Sequence, residues 1–146
     1  MKKLDPKELF RAFEMNDESV VVDHDPQAVW DFRTHPYILI GMVIRGLENF
    51  EVLSQVYSKR EGEAYEEIKG EVQYKYYTTL YKYLYRFNYQ SLEYIEGALS
   101  HDVGDITYAL GHLRTFFEKH EEYEKCARIR DIFEAIDLGA ELLDRK

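Results

Sequence analysis

Pro36-Tyr37-Ile38-Leu39-Ile40-Gly41-Met42-Val43-Ile44-Arg45-Gly46-Leu47 opens the most apolar stretch of this chain, and its periodicity decides the fold. Pro36 suits the first turn of a helix, where a missing N–H costs no hydrogen bond. Plotted at about 100° per residue, Ile38, Leu39, Ile40, Met42, Val43, Leu47, Phe50, Leu53, Val56 and Tyr57 cover most of the circumference. Only Arg45, Glu48, Glu51, Gln55 and Lys59 form a polar strip. A helix wetted along one strip has neighbours on several sides. The pattern therefore predicts a central helix from Pro36 to about Lys59, broken at residues 60–62.

Working outward, a second helical stretch is expected from near Glu63 to about Leu99, with a weak point at Gly70. Between Val72 and Tyr89 its faces separate clearly. Val72, Tyr76, Tyr77, Leu80, Tyr83, Leu84 and Phe87 fall on one side and should pack on the central helix. Lys75, Lys82 and Arg86 fall on the other, with Tyr74, Tyr81 and Tyr85 as a ridge between. Residues 100–105 interrupt the pattern, and helix resumes to about Glu118. A turn at 119–121 leads to a last helix over Glu122–Asp137, with Leu138-Gly139 as its C-cap.

Toward the N-terminus, Asp5-Pro6-Lys7-Glu8 carries the cap signals of a short helix with Leu9, Phe10 and Phe13 on its apolar face. Ser19–Asp23, with three valines, reads as an extended connector. Asp25-Pro26 then starts another helical turn bearing Val29, Trp30 and Phe32. The expectation is an all-α, single-domain bundle over residues 1–146, with four to five helices and two short N-terminal helices packed across it. Residues 1–35 supply the short helices and connector, 36–99 the long core helices, and 103–137 a C-terminal hairpin.

Composition narrows the function. The 146 residues are 45% hydrophobic and 32% charged, the balance of an ordinary folded domain. No apolar run approaches the roughly 20 residues of a membrane span, so no membrane partner is expected. Met1-Lys2-Lys3-Leu4-Asp5 leads into no apolar segment of a signal peptide. Cys126 is the only cysteine, so an intramolecular disulfide is impossible. The expected location is cytoplasmic. A net charge of −9 argues against coating nucleic acid with the whole surface, while leaving room for a local basic patch. The 13 tyrosines suit core edges and interfaces, because each joins an apolar body to a polar tip.

One such patch lies on the second helix, where Gln73 to Leu92 contains no acidic residue. Lys75, Lys82 and Arg86 beside Tyr74, Tyr81 and Tyr85 have the cation-and-ring chemistry that holds single-stranded nucleic acid. Three cations neutralise few phosphates, however, and give weak, salt-sensitive binding. An acidic protein, or the acidic hairpin of a second copy of this chain, suits the face better. His101, His112 and His120 form no ligand set, no Gly-rich phosphate loop is present, and Cys126 reads as core.

Residues 108–136 resemble the UVR motif, a helical hairpin of bacterial excision-repair nuclease subunits and some protease-associated adaptors. The likeness is carried by Leu110, by Glu122-Tyr123-Glu124-Lys125-Cys126-Ala127-Arg128-Ile129-Arg130-Asp131, and by Phe133 and Ile136. Arg114 and Phe117 stand where the family usually has an apolar residue and an alanine. The resemblance implies a protein-docking hairpin, with Glu124, Arg128 and Asp131 as exposed partner-binding charges. It also implies a place in a nucleic-acid-processing or DNA-repair assembly.

A second resemblance points to an enzyme. Glu63, Glu66, Glu67 and Glu71 lie at helical spacing, and Asp102-Val103-Gly104-Asp105-Ile106 resembles the second acidic motif of MazG-type nucleotide pyrophosphohydrolases. That likeness implies a Mg²⁺ site built from Glu63, Glu67, Asp102 and Asp105. Read from the residues alone, the glutamates are a solvated face and Asp102 and Asp105 complement the start of the next helix. The favoured reading is a cofactor-free helical adaptor that binds another protein.

Overall fold

The computed structural model describes residues 5–7, 9 and 35–144, with Asp144 described in its backbone alone. These residues form an all-α bundle. In chain order the helices are α1 (Pro36–Glu61), α2 (Glu63–Arg86), α3 (Leu92–Ala98), α4 (Val103–Lys119) and α5 (Tyr123–Asp144). At the N-terminus, Asp5 caps as expected, its Oδ1 accepting from the Lys7 N–H at 3.0 Å, and Leu9 is buried. The remaining features read for the two short helices and connector, at Glu8 and over 10–34, lie outside the described residues.

α1 and α2 form an antiparallel hairpin joined by Gly62 alone. Gly62 has φ +56°, and a Cβ there would meet open space, so backbone conformation rather than packing demands glycine. Arg45, Glu48, Glu51, Gln55 and Lys59 are all exposed, and α2, α3 and α4 cover other sides of α1. One correction applies to this face: Val56 is 47% exposed and Val52 60%, so the wetted strip is wider than the polar residues alone mark out.

The apolar face of α2 is buried at every expected position, from Val72 to Phe87. Gly46 brings the two helices together; a Cβ at that position would lie 2.3 Å from Leu80 Cδ2. Beside this contact, the Phe50 ring meets those of Tyr76 and Tyr77 at 5.6 and 5.3 Å.

α2 ends at Arg86 rather than near Leu99, because Phe87 is extended (φ −76°, ψ 120°) and fully buried. Asn88 and Ser91 then build a turn, and the Ser91 hydroxyl caps α3 by accepting from Tyr94 N–H at 3.4 Å. The seven-residue α3 crosses the start of α1, where a Cβ on Gly97 would lie 2.6 Å from Pro36 Cγ. His101 follows, stacked on Tyr37 at 4.0 Å and donating from Nε2 to the Tyr37 carbonyl at 2.7 Å.

α4 and α5 form the second hairpin, hinged at Glu121 (φ 59°). The Glu122 N–H bonds the Phe117 carbonyl at 2.9 Å and the Glu121 N–H bonds the Glu118 carbonyl at 3.0 Å, the paired closure of a Schellman turn. Leu110, Leu113 and Phe117 are buried against Ile129, Ile132 and Ile136. α5 continues to Asp144, past the expected C-cap at Gly139. Gly139 is instead a close-approach residue, since a Cβ there would lie 2.5 Å from Ile95 Cγ2 of α3. None of the described helices is long and apolar enough to cross a membrane.

Candidate functional site

The four carboxylates of the magnesium alternative are not brought together. Glu63 and Glu67 are exposed at the start of α2, just beyond the C-terminus of α1. Asp102 and Asp105 follow His101, which is bonded to Tyr37 at the other end of α1. Glu66 is bonded to Ser58, so some 21 residues of α1 separate the two pairs, about 32 Å at 1.5 Å per residue. Asp102 is committed locally, its Oδ1 accepting from the Asp105 N–H at 3.1 Å as an N-cap. Among the described residues, no three His, Cys, Asp or Glu side chains group as metal ligands.

The tyrosine ridge is engaged by the protein's own second hairpin. Tyr74 donates its hydroxyl to Glu122 Oε1 at 3.0 Å, and its ring meets His120 at 5.2 Å. Tyr81 packs edge-on against Phe117 at 5.8 Å, with Lys125 Nζ 5.6 Å from its centroid. The Arg128 guanidinium lies 4.9 Å from the Tyr85 ring and 5.5 Å from the Tyr89 ring. Cations of α5 therefore lie over two of the three ridge rings, Tyr81 and Tyr85, while Glu122 engages the third, Tyr74. Tyr85 keeps 66% of its surface exposed, whereas Tyr74 and Tyr81 are half-buried. Lys82 and Arg86 are exposed and Lys75 half-buried, none in an ion pair among the described residues.

Arg128 requires a correction as well. It was read as a solvated hairpin charge, but it is half-buried and donates from Nη2 to the Tyr85 and Phe87 carbonyls at 2.8 and 3.2 Å. These carbonyls lie at the C-terminal end of α2, where no further helical turn follows to satisfy them. Glu124 is exposed, and Asp131 pairs with its neighbour Arg130 at 3.2 Å.

The outer face of the α4–α5 hairpin carries two adjoining hollows. One, of about 130 Å³, is lined by Thr107, Leu110, Gly111, Arg114, Ile129, Arg130 and Phe133. The other, of about 230 Å³, is lined by Arg114, Glu118, Tyr123, Cys126, Ala127 and Arg130. Arg114 and Arg130 belong to both. A Cβ on Gly111 would touch nothing within 4 Å, so the backbone of α4 is open to approach there. Cys126 donates its thiol to the Arg114 carbonyl at 3.5 Å, and burial, with Glu118 nearby, pushes the thiol's pKa up. Both favour the neutral thiol over the more nucleophilic thiolate. Reading the sequence missed the Arg114–Arg130 pairing; the only signal was an arginine at 114 on an otherwise apolar hairpin seam.

A third hollow, of about 320 Å³, opens between α1, α2 and α4. The Tyr77 hydroxyl and His112 Nε2 are 2.8 Å apart at its wall, and burial pushes the Tyr77 pKa to about 12. Tyr108 donates to Glu51 at 2.8 Å on one side, and Tyr65 donates to Ser54 at 2.7 Å on the other. Sequence reading gave no sign of this cavity, because its lining comes from three helices.

No family model, no curated protein and no solved structure matches this chain.

Proposed function

We propose that this protein is a helical adaptor that docks an acidic segment of another protein along the outer face of its α4–α5 hairpin. The observation that carries the reading is the pair Arg114 and Arg130, one from each helix, facing the same two hollows in a chain of net charge −9. Arginine forks hold carboxylates bidentately, and more strongly than neutral hydrogen bonds do. Leu110, Ile129 and Phe133 supply an apolar floor, while Gly111 and Ala127 leave room for a partner's backbone. Apolar floor and charged rim are the anatomy of a protein interface. The exposed Arg130–Asp131 pair is worth about 0–1 kcal/mol and yields readily to a partner carboxylate. The UVR-like resemblance supports a docking hairpin, and a nucleic-acid-processing assembly rests on that resemblance alone.

The test is affinity capture from the native host with wild type, with Arg114→Glu plus Arg130→Glu, and with Gly111→Trp. Both variants should melt near the wild-type temperature and lose the captured partner. If the doubly reversed protein still recovers every partner, the hairpin is a structural lid only.

A further inference from the structure

We infer that the hollow between α1, α2 and α4 binds a small zwitterion of free amino-acid size, held between Lys69 and Glu51. The cavity of about 320 Å³ stands at the small end of the roughly 300–1,000 Å³ typical of ligand sites, too small for a nucleotide with its phosphates. Its charged lining is one ammonium, Lys69, and one carboxylate, Glu51. Neither forms an ion pair among the described residues, where the ion pairs are Arg60–Glu61, Lys125–Glu122 and Arg130–Asp131.

The two residues stand at offset levels of their helices. The antiparallel helices set Gly46 against Leu80 and Ser58 against Glu66, which places Lys69 level with a position near 56. Glu51 is thus about five residues, or roughly 7–8 Å, from Lys69 along the helix axes. A free amino acid carries its ammonium and its carboxylate on one carbon, and across that offset its ammonium reaches Glu51 while its carboxylate reaches Lys69. Tyr108 holds Glu51 Oε1 at 2.8 Å, which orients the carboxylate and leaves its second oxygen for an ammonium. Between the charges, Gln55, Gln73 and Tyr77 offer neutral hydrogen-bonding groups. Tyr77 is 1% exposed and bonded to His112, so its hydroxyl is fixed in place. The inference is independent of the docking face, which lies on the far side of α4 and α5.

The experiment is an NMR titration of the full chain with free L-amino acids one at a time, followed by the N-acetyl and C-terminal amide forms of whichever binds best. At least one free amino acid should shift the resonances of Gln55, Gln73, Tyr77 and His112, and each blocked form should bind about tenfold more weakly. Lys69→Met should weaken the free amino acid about tenfold and leave the amide form unaffected. Glu51→Gln, which keeps an acceptor for Tyr108, should do the same for the N-acetyl form. No shift with any amino acid, or blocked forms that bind as well as the parent, overturns the inference. Sensitivity to only one of the two blocks overturns it too, since the site would then recognise a single charge.

Discussion

Arg128 donates to the Tyr85 carbonyl at 2.8 Å while its guanidinium lies 4.9 Å from the Tyr85 ring, so one side chain of α5 closes the C-terminus of α2. Residues 43 positions apart are joined by this contact. It also turns inward the hairpin face that carries Lys125 and Arg128, leaving Arg114 and Arg130 on the outer face.

Arg128→Ala should destabilise the fold by about 2 kcal/mol, since hydrogen bonds from a charged donor are worth about 1.5–3 kcal/mol each and the site is half-buried. Arg128→Lys should recover less than half of that, because an ammonium cannot span two carbonyls and a ring as a planar fork does. Glu124→Ala, at an exposed position, should change stability by less than about 0.5 kcal/mol. Urea denaturation of the three variants checks the ordering.

Two glycines should respond to alanine with opposite signs. Gly70 is exposed within α2 and a Cβ there meets nothing, so Gly70→Ala should stabilise by about 0.5–1 kcal/mol. Gly46→Ala places a Cβ 2.3 Å from Leu80 and should cost about 1–3 kcal/mol through overpacking. Combining Gly46→Ala with Leu80→Ala should recover less than expected, because it exchanges a clash for a cavity. Thermal melts give both signs directly.

Glu121 holds φ 59° at the hairpin turn, a conformation that costs a side-chain-bearing residue about 1–2 kcal/mol. Glu121→Gly removes that strain and should raise stability by about 1 kcal/mol, slightly less where glycine's extra unfolded entropy offsets it. A melting temperature lower than wild type would mean that the Glu121 side chain does something this turn does not require.

Alkaline pH should expose the buried tyrosines. Burial raises the pKa of Tyr76, of Tyr77 to about 12, and of Tyr65 and Tyr81, against an ordinary value of 10. A phenol whose folded pKa is raised releases its proton first from the unfolded chain. Its stabilising contribution is therefore complete below pH 10 and is lost as pH rises from 10 toward 12. In an ultraviolet phenolate titration these four buried tyrosines should ionise only as the helical circular dichroism signal falls.

Much of the fold was legible in the order of residues. The buried face of α2, a helix break within 60–62 and the Asp102 cap all follow from interactions within a few positions, namely a helical period, a positive φ and a side chain reaching its own backbone. The end of α2, the engaged tyrosine ridge, the continuation of α5 past Gly139 and both candidate sites were not legible. Each depends on contacts such as Arg128 with Tyr85, Tyr74 with Glu122, or Glu51 with Tyr108. Sequence by itself determined most of the face of each helix that avoids water, Val56 of α1 apart, because that is set by side-chain spacing along one helix. Tertiary structure alone decided which polar residues meet across those faces. That pairing depends on the angle and register at which packed helices cross, set at points such as Gly46 against Leu80 and Gly139 against Ile95.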